Sequence, residues 1–216
     1  MRYLFVLALF IPNITIAQLS FEFRWGNERI LPNTQYHYAI NNSISFEELK
    51  LYISDIYLVT DAKREKIADV CFINFEDSIS GILNQKYIPI NNGKLIFTLG
   101  LDSIYHVNMD YEGDLDPVLG MYWAWNTGYI HVKIVAKCSE SIEKNGLLDY
   151  HLGGYLKPNA TMHQIELDNV SSTIYIDLLP LFEKEIIKPS VISRVVLPGK
   201  EANRIMKSLS TAIRHD

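Results

Sequence analysis

The chain has 216 residues, 48% hydrophobic and 21% charged, with 11 Gly, 8 Pro and 2 Cys. That balance excludes a disordered chain, a collagen-like repeat and a disulfide-dense miniprotein, and the length suffices for one domain with a sizeable core. A formal charge of −5 with no Lys/Arg block excludes the electrostatic footprint of a nucleic-acid binder.

Residues 1–17 read as a secretory signal: Met1-Arg2-Tyr3, an apolar run from Leu4 to Ile11, then small residues at Thr15 and Ala17, with cleavage expected before Gln18. The run is shorter than the roughly 20 apolar residues that span a bilayer, and Pro12 interrupts it. The expected product, residues 18–216, is a single domain, periplasmic or secreted to the cell surface, with no membrane insertion after cleavage. Export would place Cys71 and Cys138 in an oxidising compartment, where they could pair or remain free. Neither belongs to a C-x-x-C unit, so zinc-knuckle and thioredoxin-type sites have no support.

Short alternating stretches follow in order: Ser20–Trp25, Leu49–Thr60, Ile67–Phe75, Lys94–Leu101, Tyr129–Ala136, Leu147–Leu152, His163–Leu167 and Thr173–Leu178. Each is rich in β-branched or aromatic residues and is bounded by Asn, Gly, Asp, Ser or Pro. Asn91-Asn92-Gly93 and Glu143-Lys144-Asn145-Gly146 are turn signals. The pattern predicts an all-β fold, an antiparallel β-sandwich or barrel-like domain. One C-terminal amphipathic helix is expected over Gly199–Arg214, where Ala202, Ile205, Met206, Leu209, Ala212 and Ile213 recur at helical spacing.

G-x-S-x-G, H-E-x-x-H, P-loop and G-x-G-x-x-G signatures are absent. Asp110, Glu112, Asp114 and Asp116 lack the bidentate Glu of an EF-hand and read as a solvated acidic turn. Gly120–His131 is denser in chemistry, with Trp123 and Trp125 one residue apart. In the hairpin beyond it, alternation turns Ile130, Val132, Ile134 and Ala136 to one face and leaves Tyr129, His131 and Lys133 on the other. Pairing Lys133 with Asp149 sets His131 opposite His151 at about 5 Å between Cβ atoms. A two-residue shift sets His151 opposite Lys133 instead. Either register predicts two imidazoles on one face, a pair suited to zinc, copper, iron or nickel. His37, His106 and His163 read as structural or surface histidines, and His215 as a terminal residue.

Several segments together resemble the MbnP-like copper-binding domain proteins, relatives of the methanobactin-associated periplasmic protein. They are Leu49–Ile56, Leu95–Ser103, Gly113–Pro117, Gly120–Tyr129 and Tyr150–Gly154. The resemblance implies an exported, β-rich copper-binding protein with no enzymatic activity of its own. It further implies His151 as a metal ligand, and Trp125 or Trp123 as a tryptophan converted to kynurenine by a separate dihaem enzyme. His131 follows from the hairpin register and not from the family. Intact indole offers no lone pair to a metal, whereas its ring-opened product carries an aniline nitrogen and a ketone. The expected metal site is therefore His151, His131, Trp125 and Trp123. The alternatives are a metal-free carbohydrate- or protein-binding β-sandwich with Tyr122, Trp123 and Trp125 as a stacking platform, and a metal-assisted hydrolase, which lacks a carboxylate placed as general base.

Overall fold

The computed structural model describes residues 18–83, 93–108, 112–125, 128–170 and 172–215. The expected leader, Asp110, and the Asn91-Asn92 part of the first turn signal lie outside these residues. In chain order the strands and helices are β1 (Ser20–Trp25), β2 (Glu28–Arg29), β3 (Gln35–Ala39), β4 (Asn42–Val59), β5 (Arg64–Asn74), β6 (Lys94–Leu99), α1 (Ser103–Asn108), β7 (Tyr122–Trp123), β8 (Gly128–Cys138), β9 (Leu147–Gly153), β10 (His163–Asp168), β11 (Thr173–Asp177), α2 (Leu179–Glu183), β12 (Arg194–Val195), α3 (Lys200–Ser210) and β13 (Ile213–His215).

The larger sheet runs β10-β6-β4-β8-β9-β12, with β3 and β5 also paired to β4 and β7 to β8; the smaller runs β13-β11-β1-β2. The long strand β4 organises the larger sheet, because its two halves hold different neighbours. Its register shifts between Phe46 and Glu48 and again between Ser54 and Tyr57. The core-facing positions accordingly step from Ile44 and Phe46 to Leu49, Leu51 and Ile53. Bulges of this kind bend and twist a strand, and here they curl the sheet into a half-barrel.

The expectation of purely antiparallel strands needs correction: β1 pairs parallel to β11 and β9 parallel to β12. Parallel neighbours need long crossovers. The parallel partner of β1 lies about 150 positions along the chain, beyond the reach of any local pattern.

The two sheets close on one core, in which Phe21 of β1 meets Phe97 of β6 edge-on at 5.3 Å. Ala202, Ile205, Met206 and Leu209 of α3 are buried in the same core. The predicted C-terminal helix exists but ends at Ser210; Ile213–His215 instead forms β13, with His215 opposite Ile174. Ile213 is buried either way, so its apolar character could not tell helix from strand. A second, smaller cluster of Tyr52, Leu101, Leu115, Met121, Trp123, Tyr129 and Ile130 covers the other side of β4 and β8.

Cys71 and Cys138 are both free and buried. Burial pushes the Cys71 thiol up to about 12, and Cys138 Sγ lies 3.2 Å from the Tyr38 hydroxyl, which donates to Glu140. Among the described residues no helix is long and apolar enough to cross a membrane.

Candidate functional site

The second cluster builds a pocket at one end of the curled sheet. Strand β7 folds back on the start of β8, with Tyr122 opposite Tyr129 and Trp123 opposite Gly128. The acidic segment is structural at this point. Asp114 accepts the Phe72 backbone N–H and Asp116 caps the turn at Val118.

The register between β8 and β9 places Lys133 opposite His151, and it breaks between Ile130 and Val132, which face Gly153 and Leu152. His131 is therefore the extra residue of a bulge. Strict alternation would keep Ile130 and Val132 on one face, yet they belong to different clusters. The bulge re-aims His131, as bulges commonly do near functional sites. The two imidazoles of the expected pair consequently hold different partners. His151 contacts Asp149 through Nε2 at 3.0 Å, and Arg194 also reaches that carboxylate. Burial holds the His151 pKa below its ordinary value although Asp149 pulls it up.

The structure joins His131 to His106, a residue read from sequence as structural or surface. Their Nε2 atoms are 2.9 Å apart and both side chains are buried. His106 is carried by α1, 25 positions earlier in the chain. No local spacing signals this pairing, and the quoted Leu95–Ser103 match stops three residues short of it.

The hydrogen-bond network assigns the protons. The Tyr129 backbone N–H lies 3.2 Å from His106 Nδ1, and the Leu101 carbonyl also reaches the ring; with the Tyr129 N–H donating, the proton of a neutral His106 sits on Nε2 and points at His131 Nε2. His131 then carries its proton on Nδ1, 2.9 Å from Thr161 Oγ1, and the Thr161 hydroxyl donates to the Gly154 carbonyl. Both imidazoles are neutral at pH 7. Burial lowers the His106 pKa to about 4. Burial, then the neighbouring His106 and His163, holds His131 well below its usual value.

A cavity of about 270 Å³ opens beside the pair, lined by His106, Trp123, Tyr129, Tyr155, Lys157 and Pro198 among others. Tyr155 stacks on the His106 ring, with centroids 4.5 Å apart and planes within 23°. Trp123 is 4% exposed and its Nε1–H is buried without a hydrogen-bond partner. Trp125 is 63% exposed, its ring centroid 5.9 Å from that of Trp123. Tyr122, Trp123 and Trp125 thus do not form one exposed stacking surface. The HLGG segment reaches Trp123 through Gly153, where an added Cβ would meet the indole at 3.0 Å.

Two imidazole nitrogens at this separation suit a metal once the Nε2 proton of His106 is released, since imidazole–metal bonds of about 2.0–2.1 Å bring two donors on one ion comparably close. Among the described residues no three of His, Cys, Asp and Glu converge into a larger ligand set. Any further donor at this pocket would come from another group, and Trp123, in the cavity wall, has a buried Nε1–H without a hydrogen-bond partner.

This is a β-rich domain with, among the described residues, one buried histidine pair beside a tryptophan-lined cavity. The sequence model of the MbnP family matches residues 15–195, and the chain belongs to that family, whose members are binding and transport proteins and not enzymes. The solved structure of MbnP from Methylosinus trichosporium is similar over 78% of this chain and 77% of that one, with a TM-score of 0.57 at 16% identity, a likeness of fold. A search of curated proteins found no match.

Proposed function

We propose that this protein is exported and binds copper for handling, delivery or storage. The supporting observation is the convergence of the neutral His106 and His131 imidazoles at 2.9 Å beside Trp123. Copper association is typical of the family, and nitrogen donors favour copper over the other divalent first-row ions.

In this reading the Nε2 proton of His106 is released on loading, and His106 and His131 hold the ion through Nε2. Trp123, converted to kynurenine by a separate dihaem enzyme, adds a donor from the cavity wall, and the exposed Trp125 is the side chain that such an enzyme would meet first. His151, the ligand implied by the family resemblance, contacts Asp149, lies opposite Lys133 and has no part in this site. The test is copper stoichiometry by metal analysis after loading. Wild type is expected to hold one copper, and His131→Ala and His106→Ala to lose it. Copper retained in both variants but lost in His151→Ala would move the site to the His151 face. Wild type that takes up no copper would refute the reading.

A further inference from the structure

The loop from Gly154 to Thr161 touches both imidazoles of the pair. Its first side chain, Tyr155, lies on the His106 ring. Its last residue, Thr161, is fully buried and closes the loop twice, by its backbone N–H to the Gly154 carbonyl at 2.9 Å and by its hydroxyl to the same oxygen at 3.1 Å. The same hydroxyl oxygen is 2.9 Å from His131 Nδ1. While its own proton goes to Gly154, that oxygen accepts from the imidazole.

We infer that Thr161 is a positioning residue for the metal site: it holds the proton of His131 on Nδ1 and so keeps the Nε2 lone pair directed at His106. This rests on the reading of His106 and His131 as ligands. A neutral histidine can carry its proton on either nitrogen, and only one of the two forms offers Nε2 to a metal. A hydrogen bond to the other ring nitrogen fixes the tautomer and ring orientation of a metal-binding histidine. Here the acceptor is buried and is itself oriented by a backbone carbonyl. Gly100 limits the ring on another side, since a Cβ there would lie 2.7 Å from His131 Nδ1.

The decisive variant is Thr161→Val, which keeps the β-branched shape and the backbone closure of the loop while deleting the hydroxyl. Two readouts are taken. Long-range ¹H–¹⁵N spectra of the metal-free protein report the His131 tautomer, and chelator competition with copper(I) reports affinity. Wild type is expected to show His131 protonated at Nδ1 alone. Thr161→Val is expected to lose that pattern and about 10- to 100-fold in copper affinity, the usual range for removal of such an outer partner. Thr161→Ser, which restores the hydroxyl, is expected to recover both. Wild-type His131 protonated at Nε2, or Thr161→Val with unchanged tautomer and affinity, would overturn the proposal. If Thr161→Val does not fold, the wild-type spectrum and Thr161→Ser still decide. Because the tautomer readout needs no metal, failure of wild type to bind copper would reject the site reading and leave the role of Thr161 separately measurable.

Discussion

Gly100 and His131 are in such close contact that a methyl group on the glycine would lie 2.7 Å from the imidazole Nδ1 and 2.9 Å from Cγ. Gly100 also has φ +96°, a conformation that side chains rarely adopt. Gly100→Ala is therefore expected to destabilise the fold by about 1–3 kcal/mol through overpacking and backbone strain. It is also expected to weaken copper binding, because the ring that yields is a proposed ligand. Denaturant unfolding and copper titration of the same preparation check both effects.

Tyr155 covers His106 without being part of the core. Tyr155→Ala is expected to leave unfolding nearly unchanged while copper leaves faster, since the stacked ring closes one side of the site. Tyr155→Phe, which keeps the stack, is expected to behave as wild type. Stopped-flow release of copper to a chelator measures the difference.

Acid acts on the metal-free fold through the same pair. The folded His106 titrates at about 4, below the ordinary 6.5. Between those values the unfolded chain takes up a proton that the folded one refuses, so stability falls as pH drops from 6.5 toward 4. The loss from His106 is roughly 3 kcal/mol, and His131 adds to it in the same direction. Denaturation midpoints at pH 7 and pH 4.5 are expected to differ accordingly, and His106→Ala to flatten the dependence. The loaded protein is expected to keep its copper at pH 5.5, where histidines of ordinary pKa would already be losing theirs to protons.

The oxidised tryptophan is expected at position 123. Its ring lines the cavity beside His106, while Trp125 faces solvent. Peptide mapping of protein from its native host should show Trp123 with one ring carbon replaced by oxygen and Trp125 intact. Two intact tryptophans would remove the kynurenine donor and leave the histidine pair as the ligand set.

Much of the architecture is legible in the sequence. All eight predicted stretches are strands, because alternation with β-branched and aromatic residues marks a half-buried strand directly, although β4 begins seven residues before Leu49 and β3 is not among them. The two-residue strands β2, β7 and β12 are too short to carry a period, and the parallel pairings depend on partners far along the chain. At the site, Trp123 stood out by composition and His131 by its place in the hairpin. Of the two registers expected for the hairpin, the one with His151 opposite Lys133 is observed, but the shared face of His131 and His151 assumed unbroken alternation. The bulge at His131 breaks it, turning that residue toward His106 on α1 and leaving His151 with Asp149. His106 lay in a segment whose only signal was a single histidine, so its role is visible only once the chain is folded.

The central claim is that His106 and His131 share one copper ion. X-ray absorption of the copper-loaded protein measures this directly, compared across wild type, the His106→Ala/His131→Ala double variant and His151→Ala. The account predicts imidazole scattering from two histidines in wild type, its persistence in His151→Ala, and no stoichiometric copper in the double variant. A double variant that still binds one copper with the wild-type spectrum would contradict it.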